Sequence, residues 1–245
     1  MHTTLNYSPN FEVKKRKKNQ IKFFVLHYTG MKQELEAIKK LTNINSKVSS
    51  HYLIKNNGEI VVMVPDLYEA WHAGVSSWKN FKSINKYSIG IELSNPGHDH
   101  DYKKFSKKQI QSLKKLCKFL IKKYKINKKN ILGHSDIAPN RKKDPGEKFP
   151  WHYLAKFGIG KWHSILPRIL INNRGKKINL TDRKIFFTNL SRIGYFTKNT
   201  NILKNDKFLN LVVVAFQRRF RQELINGKID RECLLISQNL VKKFN

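Results

Sequence analysis

Only two cysteines, Cys117 and Cys233, occur among the 245 residues, and they stand far apart in segments of helical apolar spacing. That argues against a disulfide framework, a cysteine-rich metal site and thiol redox chemistry. No apolar run approaches the ~20 residues needed to cross a bilayer, so no transmembrane segment is expected. The first twenty residues, MHTTLNYSPNFEVKKRKKNQ, carry a basic cluster with no apolar stretch behind it, so they do not read as a secretory signal. Acidic side chains are scarce as well, 17 against 49 Lys and Arg, which leaves a net charge of +32. Such an excess raises nucleic-acid binding as a first thought. The lysines, however, outnumber the arginines and run from end to end, whereas readers of phosphate and bases concentrate Arg for its bidentate fork. We therefore read a solvated lysine coat and expect no nucleic-acid partner. A positive field of this size still draws anionic ligands toward the protein.

What is present suits a folded chain: 40% hydrophobic and 11% aromatic residues, enough for one catalytic domain and a small accessory module. Residues 1–20 read as a basic arm. Lys22 to Tyr28 (KFFVLHY) is a short apolar run of buried-strand type that delivers His27 to its carboxyl end. Gln33 to Leu41 has helical spacing, and Ser50 to Ile54 with Glu59 to Val64 flank Asn57-Gly58, a hairpin signal. Tyr87 to Leu93 reads as a strand carrying Glu92. Phe105 to Tyr124 is the clearest helix, with Ser106 and Gln109 at capping-box spacing. A brief strand, Asn130 to Gly133, leads into His134. The mixture without regular alternation predicts an α/β fold, a mixed central β-sheet flanked by helices. Residues 165–177 read as a linker, and no histidine follows it. The tail, 178–245, offers amphipathic segments at Asp182 to Leu190, Phe208 to Phe220 and Arg231 to Phe244, which predict a small C-terminal helical bundle. With the chemistry all placed before it, this bundle is expected to be dispensable for turnover of small substrates.

A hydrolytic zinc site needs a few nitrogen and oxygen ligands on rigid elements and one open position. His27 at a strand end, His134 in GHSD and Asp144 in DPG meet that description, although nine histidines supply other combinations. The segments FFVLHYTG, VSSHYLI, AWHAGVSSW, SIGIELSN and GHSDIAPNRKKDPGEKFPW resemble, in order and spacing, the N-acetylmuramoyl-L-alanine amidases of the type-2 zinc amidase family. The tail segment VVVAFQRRFRQELINGKID is similar to the peptidoglycan-binding-like module of that family's AmiD-like, anhydro-muropeptide-cleaving branch.

The resemblance implies one zinc ion per chain on His27, His134 and Asp144, with Glu92 as catalytic acid/base and Lys142 stabilising the transition state. It also implies a zinc amidase/peptidoglycan-recognition fold over 21–164, a peptidoglycan-binding-like domain over 178–245, and peptidoglycan or muropeptide as the partner. No obligate protein partner is inferred. Tyr28, Trp71, His72, Asn140 and Arg141 are candidate substrate contacts, the aromatic faces for sugar and the Arg fork for carboxylates; Trp78 is a further groove candidate. The run His98-Asp99-His100-Asp101 reads as a solvated loop after Pro96-Gly97, and His51 as a satisfied histidine. The resemblance points to a bacterial periplasm or envelope. The signal and lipid-attachment cysteine of an envelope lipoprotein are missing, which leaves the cytoplasm open. Two rival readings are a non-catalytic peptidoglycan-recognition protein on the same fold and a basic nucleic-acid-binding protein.

Overall fold

A computed structural model of the chain describes residues 3–195 and 205–244; the rest of the arm (1–2) and of the tail (196–204 and 245) lies outside the described residues. The strands and helices run β1 (Thr3–Leu5), β2 (Phe11–Glu12), β3 (Phe23–Tyr28), α1 (Glu34–Thr42), β4 (Tyr52–Ile54), β5 (Ile60–Val62), β6 (Glu69–Ala70), β7 (Ser77–Trp78), β8 (Phe81–Lys82) and β9 (Ser88–Leu93). After these come α2 (Lys107–Tyr124), β10 (Ile131–Gly133), α3 (His134–Ile137), α4 (Trp151–Ala155), α5 (Pro167–Asn173), α6 (Leu180–Ile193), α7 (Asp206–Phe220) and α8 (Arg231–Phe244).

Six strands form the central sheet in the order β1-β5-β4-β9-β3-β10. Only the β4–β5 pair, closed by the Asn57-Gly58 turn, is antiparallel; β4, β9, β3 and β10 run parallel. Parallel strands covered on both faces must be apolar on both, and the run FFVLHY supplies this in β3. Successive residues point to opposite faces. Phe23, Val25 and Leu132 enter one core cluster, whereas Phe24, Leu26, Ile89, Ile91 and Ile131 enter the other with Leu113, Leu116, Cys117 and Leu120 of α2. Each of those leucines contributes about 1.5–3 kcal/mol by leaving water. The capping box forms: Gln109 N–H donates to Ser106 Oγ and Ser106 N–H to Gln109 Oε1, both at 3.0 Å. Gln109 Nε2 also donates to the Ser94 carbonyl at 2.8 Å, docking α2 at the end of β9.

Three sequence expectations change. Residues 1–20 are no free arm: Thr3–Leu5 pairs with β5 and Phe11–Glu12 with β6. Arg16, in the middle of the basic cluster, is buried because its guanidinium donates to the carbonyls of Asn85 (2.9 Å), Ser88 (2.8 Å) and Asp66 (2.6 Å). Residues 165–177 are no open linker either. They include α5, and Ile165 and Leu170 pack against the first core cluster. The tail, finally, forms the expected small set of helices, but these share their core with the sheet. Phe186, Leu190, Val212, Phe216 and Ile236 share one cluster with Phe23, Val25, Trp78, Leu132 and Ile137, so the tail helices cover a face of the sheet. Removing them would bare that face.

Candidate metal centre

By alternation, His27 lies on the same face of β3 as Phe23 and Val25, and Glu92 lies on the corresponding face of β9. The two are register partners. His134 follows immediately on β10, which adjoins β3 on its other side. The carboxyl ends of three neighbouring parallel strands thus converge, the place where open α/β sheets bind ligands. The loop carrying Asp144 closes on them, with Ser135 N–H donating to the Asp144 carbonyl at 2.9 Å.

The donor atoms meet closely. His27 Nδ1 lies 2.9 Å from His134 Nδ1 and 2.9 Å from Asp144 Oδ2, and His134 Nδ1 lies 3.1 Å from Asp144 Oδ2. All three residues are buried. The hydrogen bonds behind them assign the tautomers. His134 Nε2–H donates to the Ala73 carbonyl (3.1 Å), which can only accept. Ser88 Oγ–H donates to the Ile84 carbonyl (2.7 Å), so Ser88 Oγ accepts from His72 Nε2–H (3.2 Å), and His72 Nδ1 in turn accepts from His27 Nε2–H (3.1 Å). Both Nδ1 atoms therefore present lone pairs to each other and to a carboxylate oxygen. Such a convergence repels itself unless a cation sits among the three atoms, and two imidazoles with one carboxylate are a zinc donor set.

Protonation agrees. Burial, then the neighbouring His134, push the His27 pKa down to about 4. Burial alone would raise Asp144, but the proximity of His134, and then of His27, holds its carboxyl well below the usual carboxylate range. Ligands in the neutral imidazole and ionised carboxylate forms are those a metal requires.

These residues open on a cavity of about 390 Å³ lined also by Tyr28, Lys40, Trp71, Glu92, Asp99, Arg141, Lys142 and Lys143. Glu92 Oε2 is buried with no hydrogen-bond partner. Burial, then the Asp144 charge, push the Glu92 pKa up to about 8. A carboxyl poised there, unpartnered and facing a metal-ligand cluster, is set to exchange a proton near neutral pH.

Residues 17–147 match the family described as N-acetylmuramoyl-L-alanine amidase. The chain belongs to that family. It is 37% identical to N-acetylmuramoyl-L-alanine amidase AmiD of Escherichia coli K12, over 92% of this chain and 84% of that protein. It is 45% identical to the E. coli 1,6-anhydro-N-acetylmuramyl-L-alanine amidase AmpD over 46% of this chain and 58% of that one. The fold matches that of E. coli AmiD in complex with anhydro-N-acetylmuramic acid-L-Ala-D-gamma-Glu-L-Lys, with a TM-score of 0.80, 34% identity and coverage of 95% of this chain and 92% of that one. It also matches AMPDH3 from Pseudomonas aeruginosa, at a TM-score of 0.79 and 30% identity, covering 96% and 97% of the two chains.

Among the sequence candidates, His27, His134, Asp144, Glu92 and Lys142 are brought together at this cavity, with Tyr28, Trp71, His72 and Arg141 on its wall. The structure gives several of the wall residues other work. His72 stands behind His27 as its hydrogen-bond acceptor, in room left by Gly90, where a Cβ would come within 2.4 Å of the imidazole. Arg141 spends Nε on the Val75 carbonyl and Nη2 on those of Ala73 and Val75, which clamps the 73–75 loop. Asn140 is exposed and off the cavity wall. Trp78 is a core anchor, buried against Tyr195. Tyr28 O–H donates to His98 Nδ1 (2.8 Å), whose Nε2–H donates to Glu147 (3.0 Å), so His98 is tied down while Asp99, His100 and Asp101 remain exposed. Sequence reasoning missed the wall residues Lys40 and Lys143 because nothing local distinguishes them from the lysine coat, and it took Asp99 only as part of a solvated loop.

Proposed function

We propose that the chain is a zinc-dependent N-acetylmuramoyl-L-alanine amidase that hydrolyses the amide between (anhydro-)N-acetylmuramic acid and L-alanine in peptidoglycan fragments, in cell-wall turnover and recycling. The observation that carries this reading is the convergence of three lone-pair donors, His27 Nδ1, His134 Nδ1 and Asp144 Oδ2, beside the unpartnered Glu92 carboxyl. The likeness to an AmiD structure with an anhydro-muramyl peptide supports the substrate class.

His27, His134 and Asp144 would hold one zinc ion per chain. When bound, zinc supplies Lewis-acid chemistry, activating water as a nucleophile and polarising the scissile carbonyl. Glu92 takes a proton from the attacking water at its free oxygen and passes it to the L-alanine nitrogen, which leaves only when protonated. The Lys142 ammonium on the cavity wall offsets negative charge growing on the carbonyl oxygen. The His72–Ser88 chain keeps the His27 imidazole in one tautomer throughout. Tyr28 and Trp71 form the aromatic part of the wall against which a sugar or peptide packs, and the lysines and Arg141 give that wall the sign that attracts stem-peptide carboxylates.

A non-catalytic recognition protein would be expected to lack one of the ligand residues or Glu92; this chain carries His27, His134, Asp144 and Glu92. The AmiD and AmpD relatives are bacterial, and no helix among the described residues is long and apolar enough to cross a membrane. The direct test is incubation of the purified chain with an anhydro-muropeptide, with and without a chelator, following release of the peptide by its new L-alanine amino group. Release that a chelator stops and zinc restores is expected. No release by the zinc-loaded chain would overturn the reading.

A further inference from the structure

Two of the three proposed metal ligands rest on the turn 133–137, which holds His134 itself and, through the Ser135 N–H to Asp144 carbonyl bond, the loop of Asp144. Gly133 lies so close to that loop that a Cβ would come within 2.7 Å of Pro145 Cδ. The turn has little slack, and what pins it comes from far along the chain. Asp136, two residues after His134, is fully buried. Its Oδ2 accepts from the Gly133 N–H at 2.7 Å and from Arg219 Nη1 of α7, and its Oδ1 accepts from the Tyr195 hydroxyl at 2.8 Å. The same guanidinium donates through Nη2 to the Ile131 carbonyl at 2.9 Å and lies 4.2 Å from the centre of the Trp151 ring. One buried arginine thus ties the strand three residues before His134 to the carboxylate two residues after it. Arg219 and Tyr195 both lie beyond the matched residues 17–147.

We propose that Arg219 and Tyr195 are positioning residues for the metal centre, so that the C-terminal helices are a built part of the site. This rests on the reading of His27, His134 and Asp144 as zinc ligands. A carboxylate and a guanidinium are costly to bury, and apolar residues could fill the same space without that cost. The charged pair does what apolar packing cannot: it fixes direction at both ends of the turn, so that His134 Nδ1 and Asp144 Oδ2 keep their places when no cation holds them. Hydrogen-bonded groups behind metal ligands commonly change metal affinity by about 10- to 100-fold when removed.

The test uses the full chain. Zinc affinity is measured by competition with a chromophoric chelator, and amide hydrogen exchange at Gly133 and Ser135 is followed in the metal-free protein. Arg219→Gln is expected to weaken zinc binding by about 10- to 100-fold, with faster exchange at both amides, and Arg219→Lys to recover part of the loss. Tyr195→Phe removes a single donor and is expected to shift both readouts the same way by a smaller factor; it decides the matter if Arg219→Gln does not fold. Asn189→Ala breaks a buried 3.0 Å bond to Ser237 between α6 and α8. It is expected to lower the melting temperature while leaving zinc affinity and the two amides unchanged. Folded Arg219→Gln and Tyr195→Phe variants with wild-type zinc affinity would overturn the proposal. So would an Asn189→Ala variant that loses zinc as they do, since general loosening of the tail would then suffice. A wild-type chain that binds no zinc overturns the underlying reading instead, which keeps the two failures apart.

Discussion

Glu92 stands directly opposite His27 in the β9–β3 ladder, so the proposed proton carrier and a proposed metal ligand share one rigid pair of strands. Neighbouring register positions on one face keep a fixed separation, which a loop-borne acid would not. The two side chains nevertheless have separable roles. Glu92→Gln is expected to retain one zinc per chain and lose turnover by ~100-fold or more, the scale of general acid–base catalysis. His134→Ala is expected to lose both metal and turnover. Metal analysis beside a muropeptide assay checks the pair, and equal loss of zinc in both variants would make Glu92 a ligand.

Lys142 shares the cavity wall with Glu92 and Asp144 without being a ligand candidate. Lys142→Ala is expected to lower kcat by ~100- to 1000-fold, as removal of a donor to a developing oxyanion does, with zinc content and KM little changed. An unchanged kcat would return Lys142 to the solvated coat.

His51 provides a pH test away from the metal. Its Nδ1 accepts the Gly90 N–H at 3.0 Å, and burial, then the Arg16 charge, push its pKa down to about 3. A histidine that is harder to protonate folded than unfolded stabilises the fold above its ordinary pKa near 6.5, and the stabilisation is lost as pH falls from there toward 3. Between pH 7 and pH 5 this one group accounts for about 2 kcal/mol of lost unfolding free energy. His51→Gln is expected to lose that much less than the wild type over the same interval in urea unfolding. Parallel losses in the two proteins would mean that His51 titrates normally.

The elements that position the site were legible wherever one local signal sufficed. Phe23 to Leu26 had to be a buried strand, Asn57-Gly58 had to turn, and Ser106 with Gln109 marked the start of α2. The candidate site residues His27, Glu92, His134 and Asp144 were legible through motifs, and the cavity gathers all four. The misreadings share a cause: partners distant in sequence. Arg16 looked like part of a solvated basic run because the carbonyls that receive it lie 50 to 72 residues away. His72 does line the cavity, but its further role as acceptor for His27 was not legible, because it depends on His27 and on space that Gly90 leaves in β9. The tail looked separate because amphipathic helices do not declare which surface their apolar stripe will cover.

The placement of the proposed ligands on β3 and just after β10 also bears on when a metal could be captured. His134 and Asp144 are only ten residues apart, but His27 lies 107 and 117 residues from them. Closing loops of that length carries an entropy cost that two weak contacts cannot offset. A nascent or unfolded chain therefore presents at most a loose pair of ligands, and the third arrives only when β3 and β10 have zipped together. If the three residues hold zinc as proposed, its uptake marks the completion of folding: the ion is retained by chains whose sheet has closed and passed over by those whose sheet has not.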